Sequence, residues 1–191
     1  MNTPSGGCAA TTVCGCGGGQ SVRAVLPALL EHSPRLVLDA DALNAVAADA
    51  ALQQALAARA HQSQATVLTP HPLEAARLLG RDTGAVQAHR LVAAEQLSTR
   101  FGCVVVLKGS GSVIAAPGQP PTINPTGNAR LATAGTGDVL AGLIGARWAA
   151  GADPLRAAIE AVYTHGQAAE AWPTGRVLTA GALARGLVRP V

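Results

Sequence analysis

Short runs of consecutive apolar residues alternate along this chain with longer stretches whose apolar residues recur every three or four positions. The short runs predict strands buried on both faces at residues 11–14, 36–39, 66–69 and 103–108. The longer stretches predict helices at residues 21–32, 42–60, 72–79 and 85–100. Because strands separated by helices are typical of crossover connections, the pattern predicts a parallel sheet.

The pattern changes after Lys108. Two short runs at residues 112–116 and 122–124 flank a PGQPP turn and predict a hairpin. Three more helices are predicted, one from near Val139, one from the Asp153-Pro154 cap to about Trp172, and one over residues 179–187. We therefore interpret residues 1–191 as a single α/β domain.

The composition is that of a globular domain, because 49% of the 191 residues are hydrophobic and only 13% are charged. Aromatic residues make up 2%, and the net charge of +3 comes from scattered arginines, so we expect no nucleic-acid binding. No apolar stretch has the length of a membrane span, and the first twenty residues lack the features of a signal peptide. We therefore expect a cytoplasmic protein without a membrane partner.

Three of the four cysteines, Cys8, Cys14 and Cys16, lie close together near the start of the chain. Their spacing is not that of a zinc pair, and no second ligand pair follows at the distance of a structural site. Cys103 stands in an apolar strand and is interpreted as a small buried hydrophobic residue. We expect no metal site built by the protein itself.

Five turns rich in glycine or short polar residues follow predicted strands. They are GCGGGQS at 15–21, DADALN at 39–44, TPHPLEAARLLG at 69–80, KGSGS at 108–112 and AGTGD at 134–138. In open α/β sheets, ligands bind at the carboxyl ends of the strands. We therefore expect the five turns to meet at one edge of the sheet and to form the functional site there.

The AGTGD turn has the most specific chemistry. Gly135 and Gly137 allow a tight turn with exposed N–H groups, and the following helix directs the positive end of its dipole at them. Such a turn binds anions, and Asp138 at its edge is a candidate base. A carboxylate beside a phosphate-sized anion site suggests phosphoryl transfer from a nucleotide to a hydroxyl. The alternative is a glycine-rich loop in which Asp138 only caps the helix.

Four other polar residues have two interpretations each. Asp39 and Asp41 either bind a magnesium ion or hold a loop through side-chain hydrogen bonds. His71 either contacts a substrate or is an ordinary surface residue. Lys108 either neutralises a phosphate, which residues 109–112 would wrap with backbone amides, or belongs to an ordinary junction between a strand and a turn.

The chain resembles the ADP-dependent NAD(P)H-hydrate dehydratases in five segments that follow the family's order and spacing. The segments are VCGCGGGQS (13–21), LVLDADALN (36–44), VLTPHPLEAARLLG (67–80), VVVLKGSGSVIAAP (104–117) and TGNARLATAGTGDVLAGLIGA (126–146). These enzymes are carbohydrate-kinase-like domains of the ribokinase-like superfamily, and the resemblance extends from about Val13 to the end of the chain. It implies a three-layer αβα fold with a mostly parallel sheet and a late β-hairpin.

The resemblance also implies an activity, the repair of NADH or NADPH that carries an added water at C6 of the nicotinamide ring. In the family, ADP, or ATP in eukaryotic members, phosphorylates the resulting hydroxyl, and loss of phosphate restores the double bond. The implied ligands are the hydrates NADHX and NADPHX, with ADP or ATP and Mg²⁺. The implied assembly is a homo-oligomer such as a tetramer.

Site residues follow from the resemblance position by position. The implied nucleotide-binding residues are Lys108, Gly109, Ser110, Gly111, Ser112, Gly135, Thr136 and Gly137. The implied hydrate-binding residues are Gly19, His71, Asn128 and Asp138, and Asp138 is also the implied catalytic base.

Two features depart from the family's pattern. The glycine-rich turn of the family usually reads GPGLG, whereas Cys16 and Gly18 replace the proline and the leucine here. Family members also carry a further βα region upstream, so we expect a domain that is short at its N-terminus, with residues 11–14 as an exposed sheet edge. Two alternatives follow. One is a sugar or hydroxymethylpyrimidine-type kinase that releases its phosphorylated product, and the other is a non-catalytic nucleotide-binding remnant.

Overall fold

Six strands form one sheet in the computed structural model, which describes residues 10–187. They are β1 Thr11–Cys14, β2 Arg35–Leu38, β3 Ala65–Leu68, β4 Val104–Leu107, β5 Val113–Ala115 and β6 Thr122–Ile123. The strands are adjacent in chain order, with β1 to β4 parallel and β5 and β6 antiparallel. The predicted parallel sheet and late hairpin are therefore confirmed, and the predicted ends of the strands are right to within one residue. Cys8 lies outside the described residues.

Nine α-helices accompany the sheet in the described part of the chain. They are α1 Val22–His32, α2 Ala40–Ala47, α3 Ala50–Ala58, α4 Pro72–Leu79, α5 Thr83–Ala88, α6 Arg90–Phe101, α7 Thr136–Ala149, α8 Pro154–Glu170 and α9 Ala180–Leu187. Leu36 and Leu38 of β2 pack with residues of α1 to α6, whereas Val37 packs with α7 and α8. Since successive side chains of a strand point to opposite faces, the sheet is the middle layer of a three-layer αβα fold.

The predicted single helix over residues 42–60 is wrong, because the chain turns at Asp49. The Asp49 Oδ1 atom accepts hydrogen bonds from the N–H groups of Ala51 at 2.8 Å and Leu52 at 3.3 Å. An aspartate in this position caps a new helix, which is α3.

The predicted helix over residues 85–100 is also two helices. Asp82 caps α5 through the N–H groups of Gly84 and Ala85, so this helix begins earlier than predicted. His89, at φ −133° and ψ 52°, has a non-helical backbone and separates α5 from α6.

The β1 strand is the edge of the described sheet, where it pairs with β2 alone. Helix α7 packs across it at Gly145, where a Cβ atom would lie 2.6 Å from Cγ2 of Val13. Only glycine allows this approach, which brings the first turn of α7 next to the turn that follows β1. None of the helices within residues 10–187 combines the length and apolar character needed to cross a membrane.

Candidate active site

A cleft of about 1060 Å³ lies at the carboxyl ends of the parallel strands. Four of the five predicted turns line it, through residues that include Asp39, His71, Lys108 and Asp138. The first turn reaches the same place through Cys16, whose Sγ lies within 4.8 Å of carboxylate oxygens of Asp39 and Asp138. The prediction that the turns meet at one edge of the sheet is therefore confirmed.

The turn at the start of α7 has the geometry of an anion site. Gly135 precedes the helix with φ +83°, a left-handed conformation that favours glycine. Thr136, Gly137 and Asp138 then form the first helical turn, three residues before the predicted start. No acceptor within residues 10–187 bonds the N–H groups of Gly137 and Asp138. These two groups, at the positive end of the helix dipole, are available to an anionic ligand.

Asp138 does not cap α7. It is the third residue of the helix, Gly135 occupies the capping position, and no described side chain accepts a capping hydrogen bond there. The alternative interpretation of Asp138 as a capping residue is therefore wrong. Its carboxylate is left to face the cleft.

Two buried residues fix the anion turn from behind. The Thr136 hydroxyl lies 2.6 Å from the carbonyl oxygen of Leu131 and 2.8 Å from that of Thr133, and its one hydrogen is shared between these two acceptors. His165 Nε2 lies 2.9 Å from the Thr136 carbonyl oxygen, which can only accept, so this ring nitrogen carries the hydrogen. Burial lowers the pKa of His165, and the charge of Lys108 acts in the same direction, so the imidazole is neutral near pH 7.

Lys108 is held over this turn by a buried aspartate. Its Nζ atom lies 2.6 Å from Oδ1 of Asp39, whose exposed fraction is 1%. A Cβ atom on Gly137 would lie 3.3 Å from the same Nζ, so the ammonium group is adjacent to the free N–H groups. This turn therefore has an ammonium group, paired with Asp39, beside its backbone donors.

Asp138, Asp39 and Cys16 form a compact cluster whose ligand atoms lie within 4.8 Å of one another. Partial burial, the two carboxylate charges and a hydrogen bond to Asp138 raise the pKa of the Cys16 thiol to about 12. Mg²⁺ prefers oxygen ligands. Because one ligand is a thiol and Lys108 already neutralises Asp39, these residues do not fit a magnesium ion held by the protein.

Asp41 holds the glycine-rich turn that follows β1. Its Oδ2 atom accepts a hydrogen bond from the Gly19 N–H at 2.8 Å. This bond confirms the loop-holding interpretation for Asp41. It also occupies the Gly19 N–H, and a contact of Gly19 with a substrate stays a prediction.

His71 caps α4 at the wall of the cleft. Its Nδ1 atom accepts from the N–H groups of Leu73 at 3.2 Å and Glu74 at 3.3 Å, while Glu74 Oε2 accepts from the His71 N–H at 2.8 Å. The other ring nitrogen, Nε2, lies 3.2 Å from Oε1 of Glu74. Burial raises the pKa of Glu74, and the bond from His71 and the charge of Lys108 oppose this rise. The imidazole is thus engaged at both nitrogens, and its contact with substrate stays a prediction.

Asn128 belongs to a loop over residues 124–133 that closes one side of the cleft. Its Nδ2 donates to the Ala169 carbonyl at 3.0 Å, and its Oδ1 accepts from the Arg130 N–H at 3.0 Å. The loop packs tightly on α8, because a Cβ atom on Gly166 would lie 2.1 Å from Oγ1 of Thr126. Asn128 therefore shapes this wall of the cleft, and its role in substrate binding stays a prediction.

The sequence profile of one protein family, described as NAD(P)H-hydrate dehydratase, matches residues 6–188 of this chain. The chain belongs to the NAD(P)H-hydrate dehydratase family. A relative in this family is the ADP-dependent (S)-NAD(P)H-hydrate dehydratase of Neisseria meningitidis serogroup B, which is 42% identical over 173 residues. The alignment covers 90% of this chain and 57% of that relative, so the chain spans little more than half of the relative's length.

Solved structures agree with this family assignment. The ADP/ATP-dependent NAD(P)H-hydrate dehydratase of Bacillus subtilis, co-crystallised with ATP and Mg²⁺, matches with a TM-score of 0.75 and 32% identity over 94% of this chain and 65% of that one. A ribokinase-like superfamily protein of Enterococcus faecalis matches with a TM-score of 0.73 and 24% identity over 92% of this chain and 60% of that one, a likeness of fold alone. The ribokinase-like fold is therefore confirmed.

In this member of the NAD(P)H-hydrate dehydratase family, several residues that line the cleft are not predicted from the sequence. His165 and Gly166 lie on α8, far along the chain from the five turns, and Glu74 is buried in the α4 cap. The sequence offers one signal for His165: it is the single polar residue on the buried face of α8, next to Val162 and Gly166. That signal does not reveal which turn the histidine supports.

Proposed function

We propose that this chain catalyses the ADP-dependent dehydration of (6S)-NAD(P)H hydrate, which returns NADHX or NADPHX to the reduced cofactor. The observation that carries the proposal is the arrangement of Asp138 at the first turn of α7. There a carboxylate lies next to two N–H groups that no acceptor within residues 10–187 bonds, and the Lys108 ammonium is adjacent to Gly137. The names of the Neisseria and Bacillus relatives support the choice of substrate and nucleotide.

In the proposed first step, Asp138 accepts the proton of the C6 hydroxyl as the hydroxyl oxygen attacks the terminal phosphoryl group of ADP. The bond between this phosphorus and the bridging oxygen breaks, and AMP leaves. Charge on the transferring group is stabilised by the Gly137 N–H and by Lys108. Asp39 keeps the ammonium group at this position through the 2.6 Å contact.

In the proposed second step, the ring nitrogen lone pair expels phosphate from C6. Loss of a proton from C5 then restores the C5=C6 double bond. Phosphate leaves far more readily than hydroxide does, and this difference is the reason for phosphorylating the hydroxyl first. The sum is hydrate plus ADP giving reduced cofactor, phosphate and AMP.

The magnesium ion of this proposal arrives with the nucleotide as part of the co-substrate. In the cluster of Cys16, Asp39 and Asp138, one donor is a thiol and Asp39 is paired with Lys108, which supports a magnesium ion held by the nucleotide. Residues 108–112 line the cleft and are the proposed contacts of the nucleotide phosphates. The backbone of this loop bends at Gly109, with φ +145°, and at Gly111, with φ +62°.

We also propose the finer properties that the resemblance implies, a cytoplasmic location and a homo-oligomeric state such as a tetramer. Light scattering on the purified chain measures the assembly directly. A monomer at all concentrations would contradict that part of the proposal.

The proposed activity is tested by incubating the purified chain with NADPHX, ADP and Mg²⁺. We expect the near-ultraviolet absorbance of reduced nicotinamide to rise, with one AMP and one phosphate formed for each NADPH. Phosphorus NMR that shows accumulation of a phosphorylated hydrate, without recovery of NADPH, would instead identify a kinase. Binding of ADP without any turnover would identify the non-catalytic alternative.

A further inference from the structure

Arg90, the first residue of α6, lies against the loop over residues 108–112 that lines the cleft. Its Nη2 atom donates to the carbonyl oxygen of Leu107 at 3.1 Å and to that of Gly111 at 3.2 Å. Leu107 precedes the loop and Gly111 lies near its end. One guanidinium group therefore joins the two ends of the loop.

The guanidinium also lies close to the loop backbone at Gly109. A Cβ atom there would lie 2.3 Å from Nη1 and 3.0 Å from Cζ of Arg90, and Gly109 has φ +145°. The backbone conformation favours glycine at this position, and a side chain there would have to displace the Arg90 guanidinium. Inside the loop, the Ser112 hydroxyl donates to the Gly109 carbonyl at 3.1 Å and closes the same turn.

The bonds from Arg90 fix the direction of the peptide units in the loop. In a trans peptide unit the C=O and N–H groups point to opposite sides, and the described residues contain no cis peptide bond. Because Arg90 holds the Gly111 carbonyl towards itself, the N–H group of Ser112 points away from Arg90. This orientation suits a loop that presents N–H donors to an anion on its other side.

Arg90 also brings a charge that no acidic group among residues 10–187 balances. Within residues 10–187, no carboxylate oxygen lies within 4.0 Å of its guanidinium nitrogen atoms. The side chain is only partly exposed, so its charge is incompletely screened by water. A loop with an unbalanced positive charge behind it favours an anionic ligand over a neutral one.

We propose that Arg90 is a positioning residue for nucleotide binding, which orders the loop over residues 108–112 so that it accepts the diphosphate group. This inference rests on the proposed nucleotide site. Arg90 acts through the carbonyl groups of Leu107 and Gly111 and does not itself touch the ligand. Its effect is therefore on the affinity for the nucleotide, while the chemistry at Asp138 is left intact.

The test compares Arg90→Gln with Arg90→Lys and with a matched control, Arg100→Gln. Arg100 is on the same helix and also donates to a backbone carbonyl, that of Leu78 at 2.7 Å, but it is not part of the loop. For Arg90→Gln we expect the Kd and the KM for ADP to rise by about 10- to 100-fold, with kcat changed less than about threefold. Arg90→Lys keeps the positive charge but lacks the several N–H donors of the guanidinium group, so it should recover only part of the affinity for ADP. Arg100→Gln should bind ADP like the wild type.

Amide hydrogen exchange without nucleotide provides a second measurement on the same variants. Exchange within residues 108–112 should be faster in Arg90→Gln than in Arg100→Gln. Equal ADP affinity and equal loop exchange in these two variants would overturn the inference. If the wild-type chain does not bind ADP at all, the proposed function fails as well, and loop exchange then decides separately whether Arg90 orders the loop.

Discussion

The ion pair between Asp39 and Lys108 gives the sharpest quantitative prediction. Asp39 is 1% exposed and the Lys108 side chain is 19% exposed, and their charged atoms are 2.6 Å apart. Asp39→Asn keeps the shape of the side chain but leaves the ammonium group without its counter-charge. Lys108→Met leaves the opposite charge unpaired in an even more buried position.

The magnitude follows from the burial of the pair. Removing one partner of a buried ion pair costs about 3–5 kcal/mol, and the partial exposure of Lys108 favours the lower end. We therefore expect Asp39→Asn to lose about 3 kcal/mol of unfolding free energy, which is a fall in Tm of about 6–12 °C for a domain of this size. Lys108→Met should lose a similar amount. The double variant should be less destabilised than the sum, with a coupling of about 1.5–3 kcal/mol.

The assay is urea unfolding of the wild type, both single variants and the double variant, followed by circular dichroism. Arg156→Gln is the control, because Arg156 pairs with Glu160 at 2.7 Å on the surface and should contribute little. Strictly additive losses for Asp39 and Lys108 would refute the reasoning. They would mean that the two groups do not interact in the folded protein.

Two further predictions concern titratable groups around the same site. In a background with Cys8 and Cys14 replaced by serine, Asp138→Asn should speed maleimide labelling of Cys16 at pH 8, because it removes one cause of the raised thiol pKa of about 12. Unchanged labelling would show that the thiol does not face Asp138. For His165, burial lowers the folded-state pKa below its ordinary value of 6.5, so its contribution to stability is present above pH 6.5 and is lost as the pH falls. His165→Gln keeps an N–H donor and should flatten the decline in Tm between about pH 7 and 5, whereas equal slopes for both proteins would contradict this assignment.

Strands β2 and β4 were predictable because each contains a continuous apolar run that ends at a polar residue, Asp39 and Lys108 respectively. The ends of the helices were harder to predict from the sequence. Asp49 and His89 lie inside stretches with a helical apolar pattern, and only their backbone conformations show that the chain turns there. A pattern of apolar residues gives the period of an element, whereas a capping hydrogen bond decides where it starts.

The location of the site was predictable for a similar reason, since parallel strands bring their carboxyl ends to one edge. The hydrogen-bond and ion-pair partners of individual side chains could not be predicted from the sequence. Lys108 was expected to face a phosphate, but the sequence contains no signal that Asp39, distant in the chain, would hold its ammonium group. The bond from Cys16 to Asp138 and the support of the anion turn by His165 likewise depend on how separate loops pack.

The role of Asp138 as the base of an ADP-dependent dehydratase is tested by the turnover of Asp138→Asn at saturating ADP and NADPHX. Asp153→Asn, the same change at the N-terminus of α8, serves as the control. We expect kcat to fall by about two to four orders of magnitude in Asp138→Asn, with ADP affinity within about threefold of the wild type and the control unchanged. Dehydration by Asp138→Asn at nearly the wild-type rate would contradict the account.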